Sequence, residues 1–170
     1  MRHRLISLIA ILLMTSNLFS CVNSSSTPND YKDKFIDFTI LDGWSISNID
    51  TSQSNLRKYT LEKATDSATI LSFMIISDAI NDKAAHIMTD LISQTYNDVS
   101  YSEESKIEFL ERPTFMYTYS FSRALNYAGA VFSIQNGNDV LLINYQFEYS
   151  NKDQLIKQVH LIIDSINLSN

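Results

Sequence analysis

Apolar and polar residues alternate along several stretches of the chain with the two-residue period of β-strands. Ile36, Phe38 and Ile40 alternate with polar neighbours, and Asp42-Gly43 predicts a turn before Trp44. The same period predicts further strands, over residues 56–62, 114–121, 127–135 and 140–149. Residues 68–77 are apolar on both alternations, which predicts a central strand that is covered on both faces.

Two segments change to the helical period instead. Residues 81–96 place apolar side chains at i, i+3 and i+4, with Asn81 as the predicted N-cap. Ser150 begins a second helix that runs to Ile166, with Asp153 completing a capping box. The polar stretch 97–106 between these helices predicts a loop with one short strand. The pattern indicates an α+β fold, an α/β/α sandwich whose central, mainly antiparallel sheet is flanked by two main helices.

The N-terminus has the layout of a bacterial lipoprotein signal. A basic start at Arg2 and Arg4 precedes an apolar run from Leu5 to Met14, and Leu18-Phe19-Ser20-Cys21 then fits a lipobox. This predicts a signal peptide over residues 1–20 and acyl chains on Cys21, through which the protein reaches the membrane. Phe19 is bulkier than the residue that tighter lipoboxes carry.

Three alternatives to the lipobox remain open. An ordinary secretory cleavage after Ser26, with Ser24 upstream, would discard the cysteine. A retained transmembrane anchor conflicts with an apolar run shorter than the ~20 residues that span a bilayer. An intracellular protein with Cys21 as a free thiol fits the signal-like layout least well.

Composition limits the classes of partner. Residues 21–33 are polar and predict a flexible tether, followed by one globular domain over 34–170. Without Arg2 and Arg4, the chain from Cys21 onward has 11 basic and 19 acidic residues and a formal charge of −8. This acidity excludes nucleic acid as a favoured partner and leaves membrane contact to the acyl chains. With Cys21 as the single cysteine, no intramolecular disulfide can form.

The chain resembles the Mog1/PsbP-like superfamily over roughly residues 34–168. The resemblance is carried by the alternating strand that ends in Asp42-Gly43-Trp44, by the order of elements and by the closing apolar helix, and it is greatest to the DcrB-type bacterial lipoproteins. It implies the same sandwich fold and no enzyme activity, since members act as adaptors, assembly factors or chaperones. The PsbP branch supports a metal cluster, but this chain has no matching ligand set.

Catalytic and metal-binding patterns are weak. The sequence has no G-x-S-x-G elbow and no glycine-rich phosphate loop. The neighbouring carboxylates are interpreted as surface charge, in the pairs Glu103 with Glu104 and Glu108 with Glu111. Two histidines each precede an aspartate by four residues, as His86…Asp90 and His160…Asp164, and are interpreted as solvated i, i+4 pairs. No catalytic residue, metal or cofactor is expected.

Aromatic side chains are the more informative group. They fall on single alternations of two predicted strands, as Phe115, Tyr117, Tyr119 and Phe121 and as Tyr145, Phe147 and Tyr149. One interpretation places these rings in the core beneath the helices. The other leaves part of the set exposed as a concave apolar surface that binds an apolar segment or a lipid.

These observations favour a non-catalytic, lipid-anchored protein of the bacterial cell envelope that binds or chaperones a protein partner near the membrane. A carrier of a hydrophobic ligand is the alternative, and an envelope hydrolase is a third hypothesis. Val22, rather than aspartate, follows Cys21, which favours the outer membrane where the host sorts lipoproteins by that residue.

Overall fold

A computed structural model of the chain describes residues 29–109 and 112–168, which form two sheets and two helices. The strands are β1 (Asn29–Lys32), β2 (Ile36–Ile40), β3 (Trp44–Gln53), β4 (Leu56–Lys63), β5 (Asp66–Ile76), β6 (Ser100–Tyr101), β7 (Ser105–Phe109), β8 (Arg112–Ser122), β9 (Asn126–Asn136), β10 (Asp139–Glu148) and β11 (Asn167–Leu168). The helices are α1 (Asn81–Thr95) and α2 (Lys152–Asp164), the latter preceded by a 3-10 turn over Tyr149–Asn151.

The main sheet has the order β3-β4-β5-β10-β9-β8-β6, with β7 also paired to β8, and β1-β2-β11 form a smaller sheet. Every described pairing is antiparallel. Helix α1 covers one face of the main sheet, while α2 and the small sheet cover the other. The predicted α/β/α sandwich with a central antiparallel sheet and two flanking helices is therefore confirmed.

The larger core lies on the α2 face of the main sheet. The apolar stripe of α2, including Leu155, Val159 and Ile162, packs there against alternate residues of β5 and β10. Phe38 of the small sheet meets Phe73 of β5 with ring centroids 5.0 Å apart. This burial is the main favourable term in the stability of the domain.

Strand β5 is central, as predicted, but its two faces are not covered equally. Leu71, Phe73 and Ile75 are buried on the α2 face. Met74 and Ile76 on the other face are only half-buried, because α1 packs over β8, β9 and β10 rather than over β5. The second apolar face of this strand thus has incomplete cover within the described residues.

The predicted capping residues are wrong at both helices. Ile80 occupies the cap position of α1, and the backbone N–H of Asn81 donates to Gln135 Oε1 at 3.0 Å. At the second helix, Ser150 lies in the 3-10 turn and its hydroxyl donates to Glu148 instead. A side chain from a distant strand supplies the first cap, and local sequence cannot reveal such a partner.

The folded domain begins before Lys34, so the tether prediction is wrong over its last residues. Asn29–Lys32 pair with β2, and Tyr31 packs against Phe38 at 5.1 Å. The carboxylate of Asp33 accepts hydrogen bonds from the turn that follows β1 and from Tyr59 of β4. The predicted signal peptide, Cys21 and the first part of the tether lie outside the described residues. Neither described helix combines the length and hydropathy that crossing a membrane requires.

Candidate functional site

The two aromatic sets predicted as a binding surface lie on opposite faces of the main sheet. Tyr119 pairs with Gly129 of β9, and Gly129 pairs with Gln146 of β10. Tyr145 is one residue away from Gln146, so its side chain points to the other face. Tyr119 therefore packs beneath α1, whereas Tyr145 lies on the α2 face.

Five of the seven rings are core residues: Tyr117, Tyr119, Phe121, Tyr145 and Phe147 are at most 9% exposed. Phe115 is half-buried, and Tyr149 is 55% exposed in the 3-10 turn. The core interpretation fits five of the seven rings, and the alternative, in which part of the set forms an exposed concave surface, keeps only Phe115 and Tyr149 as candidates. The physical reason is that both helices are seated over the aromatic positions and remove them from water.

The partly exposed end of the second aromatic set borders an open cleft of about 400 Å³. Tyr145, Phe147 and Tyr149 line it, and Lys152 at the start of α2 is the charged side chain among its described lining residues. Hydroxyl groups of Ser100, Ser102, Thr118 and Ser120 also line it, together with Tyr101, Tyr119, Ala128, Gly129 and Ile156. This mixture of ring edges and hydroxyls suits a small polar group better than a long acyl chain.

Large apolar side chains are exposed at the start of α1 and along one side of it. Ile87 and Leu91 are four residues apart and share one side of the helix, and Ile80 precedes them at the extended cap position. Each of the three is more than half exposed. Met74 and Ile76 of β5 pack against the same core cluster as the helix. These five residues are called the α1 flank below. It joins the exposed side of the helix to the incompletely covered face of β5.

Ionisable side chains gather on the opposite side of α1. His86 Nδ1 lies 2.9 Å from the carbonyl oxygen of Asp82 and 3.1 Å from its carboxylate. Glu104, from the connection between β6 and β7, accepts a hydrogen bond from the hydroxyl of Tyr117. The Asp82 carbonyl, together with the carboxylates of Asp82, Glu104 and Asp90, raises the pKa of the His86 imidazole.

The sequence pattern pairs His86 with Asp90, four residues later, and does not reveal this grouping. The structure places Asp82, four residues earlier, against the imidazole and adds Glu104 from a separate segment. The four-residue spacing of Asp82 and His86 on a helix could have indicated their contact. The contact with Glu104 could not be predicted in this way, because it depends on how the sheet places the β6–β7 connection. The other predicted pair differs, since the ring of His160 meets Tyr145 at 6.2 Å.

The predicted carboxylate pairs are not brought together as catalytic pairs by any contact among the described residues. Glu104 bonds to Tyr117, and burial followed by this hydrogen bond raises the pKa of the Tyr117 phenol. Tyr117 is therefore a neutral donor near neutral pH. Glu111 and the side chain of Glu108 lie outside the described part of the chain.

Comparisons with known proteins show the fold. No protein-family model and no curated protein sequence matches the chain. CyanoP, the PsbP protein of Synechocystis sp. PCC 6803, superposes with a TM-score of 0.60 at 10% identity, covering 89% of this chain and 98% of that one. LpqN, a Mycobacterium tuberculosis protein involved in cell envelope biogenesis, gives 0.51 at 14% identity, covering 85% and 90%.

A Bacteroides thetaiotaomicron VPI-5482 protein gives a TM-score of 0.53 at 12% identity and covers 80% of this chain and 46% of its own. At these identities the likeness extends to the arrangement of strands and helices and not to particular side chains. The DcrB-type branch is not singled out by the likenesses and stays a prediction. The chain has the fold of the Mog1/PsbP-like superfamily.

Proposed function

We propose that this protein is a non-catalytic module of the bacterial cell envelope, anchored by lipid on Cys21, that holds an apolar segment of another envelope protein on the α1 flank. The observation that carries the proposal is the second apolar face of β5. Residues 68–77 have the composition of a strand covered on both faces, yet Met74 and Ile76 are only half-buried. A partner segment supplies the missing cover.

The α1 flank is more than a scatter of single apolar residues. Isolated exposed leucines and isoleucines are ordinary on protein surfaces. Ile87 and Leu91 are instead 57% and 51% exposed on one side of one helix, Ile80 at its cap is 56% exposed, and the half-buried Met74 and Ile76 pack against the same core cluster as this helix. Exposed apolar side chains that are grouped in this way are typical of interaction sites.

A protein is a better occupant of the flank than the membrane to which the chain is anchored. The tether enters the domain at β1, in the small sheet, which lies across the main sheet from α1. Residues 21–28 link the acylated Cys21 to β1 and reach at most about 28 Å when fully extended, so the anchor holds the small-sheet side of the domain, not the α1 side, near the membrane. Because the chain is acidic, basic residues beside the partner's apolar segment favour encounter.

The other hypotheses have less support. A carrier of a hydrophobic ligand needs an enclosed apolar cavity, whereas the clefts of about 400, 330, 530 and 310 Å³ lined by described residues are open to solvent. A hydrolase needs paired groups in a cleft, and His86, Asp82 and Glu104 are all exposed. LpqN, which shares the fold, is involved in envelope biogenesis, and that fits the proposed setting. Val22 after Cys21 favours the outer membrane.

The test is site-specific photocrosslinking in cells, with a photoreactive residue at position 87 and a matched control at position 161. Leu161 is 59% exposed on α2, across the main sheet from the flank. We expect position 87 to capture one envelope protein through an apolar segment, and Leu91→Ser to abolish that capture. A synthetic peptide of the captured segment should bind the purified wild type and not the Leu91→Ser variant.

Equal capture from positions 87 and 161 would overturn the assignment of the flank. Capture that survives Leu91→Ser would do the same, because the apolar contact would then contribute nothing. Loss of capture in Cys21→Ser, with peptide binding unchanged, would show that the anchor supplies proximity while the flank supplies affinity.

A further inference from the structure

Three metal-ligating side chains converge beside the first two turns of α1, away from the α1 flank. Asp82 and His86 come from the helix, and Glu104 comes from the connection between β6 and β7. We propose that these three side chains form a binding site for a divalent transition-metal ion of the zinc class. This inference does not rest on the proposed function.

The geometry needs only side-chain adjustment to close around an ion. One ligand atom from each residue lies within 4.8 Å of the other two. Ligands of a tetrahedral zinc, each about 2.1 Å from the metal, lie roughly 3.4 Å apart. His86 Nδ1 donates to the carbonyl oxygen of Asp82 at 2.9 Å, which leaves Nε2 as the ligand atom of the imidazole. The side chains of Asp82 and His86 are exposed and can therefore adjust toward Glu104.

The local charge also favours a cation. Two carboxylates approach each other here, and among the described residues neither has a lysine or arginine nitrogen within 4.0 Å. The neighbouring Asp90 adds to the negative field at His86. A bound divalent ion would offset the repulsion between Asp82 and Glu104.

Tyr117 holds the third ligand in place. Its hydroxyl donates to Glu104, and its ring meets the His86 ring at 5.9 Å in an edge-on arrangement. Outer groups that orient metal ligands in this way commonly raise metal affinity about 10- to 100-fold. Tyr117 is 9% exposed, so the structure fixes its ring independently of any ion.

The ligand chemistry selects among metals. One imidazole nitrogen with two carboxylate oxygens suits zinc and its neighbours in the first transition row, while magnesium prefers an all-oxygen octahedron and keeps its water. Three protein ligands leave one coordination position open. The ion would also join α1 to the β6–β7 connection, since its ligands come from both.

The experiment is isothermal titration of the full chain carrying Cys21→Ser, in detergent and without an affinity tag, with ZnCl₂. The Cys21→Ser background removes the thiol as a competing ligand. We expect saturable binding of one zinc per chain that excess Mg²⁺ does not displace. His86→Ala and Glu104→Gln should each weaken binding at least about tenfold, and Tyr117→Phe about tenfold.

His160→Ala is the matched control, because His160 also precedes an aspartate by four residues on a helix. It should leave zinc binding unchanged. Equal losses in His86→Ala and His160→Ala, or full displacement by Mg²⁺, would overturn the site in favour of diffuse attraction to an acidic surface. Circular dichroism of each variant checks folding, and zinc-dependent NMR shifts of the His86 ring give a second measurement that tolerates a small loss of stability.

Discussion

The ring of Tyr119 occupies the space that a side chain at Gly129 would need. The two residues are paired across β8 and β9, and a Cβ atom built on Gly129 would collide with the Tyr119 ring and with the backbone oxygen of Tyr145. The Tyr119 hydroxyl reaches across to donate to Asn144 Oδ1 at 3.0 Å. Glycine at residue 129 therefore lets a tyrosine bridge β8 and β10 across the strand between them.

Gly129→Ala should destabilise the domain by about 3 kcal/mol, because neither the tyrosine ring nor the strand backbone can move aside freely. Gly137→Ala is the control. Gly137 has φ +60 and open space around its missing Cβ, so alanine there should cost only about 1 kcal/mol of backbone strain. Urea unfolding measures both, and a smaller loss at Gly129 than at Gly137 would contradict this packing.

The sequence predicted the fold well because its main elements are encoded locally. Strand alternation identified β2, β8, β9 and β10, and helical periodicity identified α1 and α2 to within a few residues. The caps were missed, since Gln135 approaches the start of α1 from another strand. Periodicity shows which side chains of one strand lie on the same face. The register between strands decides which side chains of neighbouring strands share that face.

The candidate site was predictable only in part, because it depends on strand register and on contacts between segments that are distant in the sequence. The sequence pattern placed each aromatic set on one alternation of its strand. The pairing of Tyr119 with Gly129 puts the two sets on opposite faces of the sheet. The sequence predicted that both faces of β5 are apolar. One of these faces is only half-covered, because α1 lies over the neighbouring strands. Glu104 joins His86 only through the sheet.

Asp33 should act as an acid-sensitive anchor for β1. Its carboxylate accepts hydrogen bonds from the hydroxyl of Tyr59 at 2.7 Å and from the backbone N–H of Phe35 at 2.8 Å. Asp33→Asn should therefore reduce the free energy of unfolding by about 2 kcal/mol at neutral pH. Asp37→Asn is the control, since its partner Lys32 is exposed, and should change stability by less than about 0.5 kcal/mol.

The stabilisation that the Asp33 carboxylate provides should be lost in acid. Burial alone would raise the pKa of Asp33, but the hydrogen bonds from Tyr59, Phe35, Ile36 and Tyr31 together lower it below its ordinary value. With the pKa lower in the folded than in the unfolded state, the stabilisation is complete above about pH 4 and is lost as pH falls through the folded-state value. Urea unfolding of wild type and Asp33→Asn should converge in acid, and a constant difference would contradict this assignment.

Lipidation at Cys21 predicts a defined mature N-terminus. Mass spectrometry of the membrane-bound protein should find the chain starting at an acylated Cys21, with cells fed an alkyne fatty acid giving a labelled product. Cys21→Ser should lose the label and leave the membrane fraction, because the short segment over residues 22–28 cannot hold an acidic domain there. A mature chain that begins at Thr27 would instead establish ordinary secretion with cleavage after Ser26.

Adjacent substitutions on α1 should separate binding from stability. Met88 is 6% exposed and packs in the core beneath the helix, whereas Ile87 is 57% exposed on the α1 flank. Met88→Ser should reduce the free energy of unfolding by about 3 kcal/mol through cavity formation and an unsatisfied hydroxyl. Ile87→Ser should change it by less than about 0.5 kcal/mol, while lowering the binding of a hydrophobic fluorescent probe. A large loss of stability in Ile87→Ser would mean that the flank already has a partner within the chain, which would remove the reason to propose an external one.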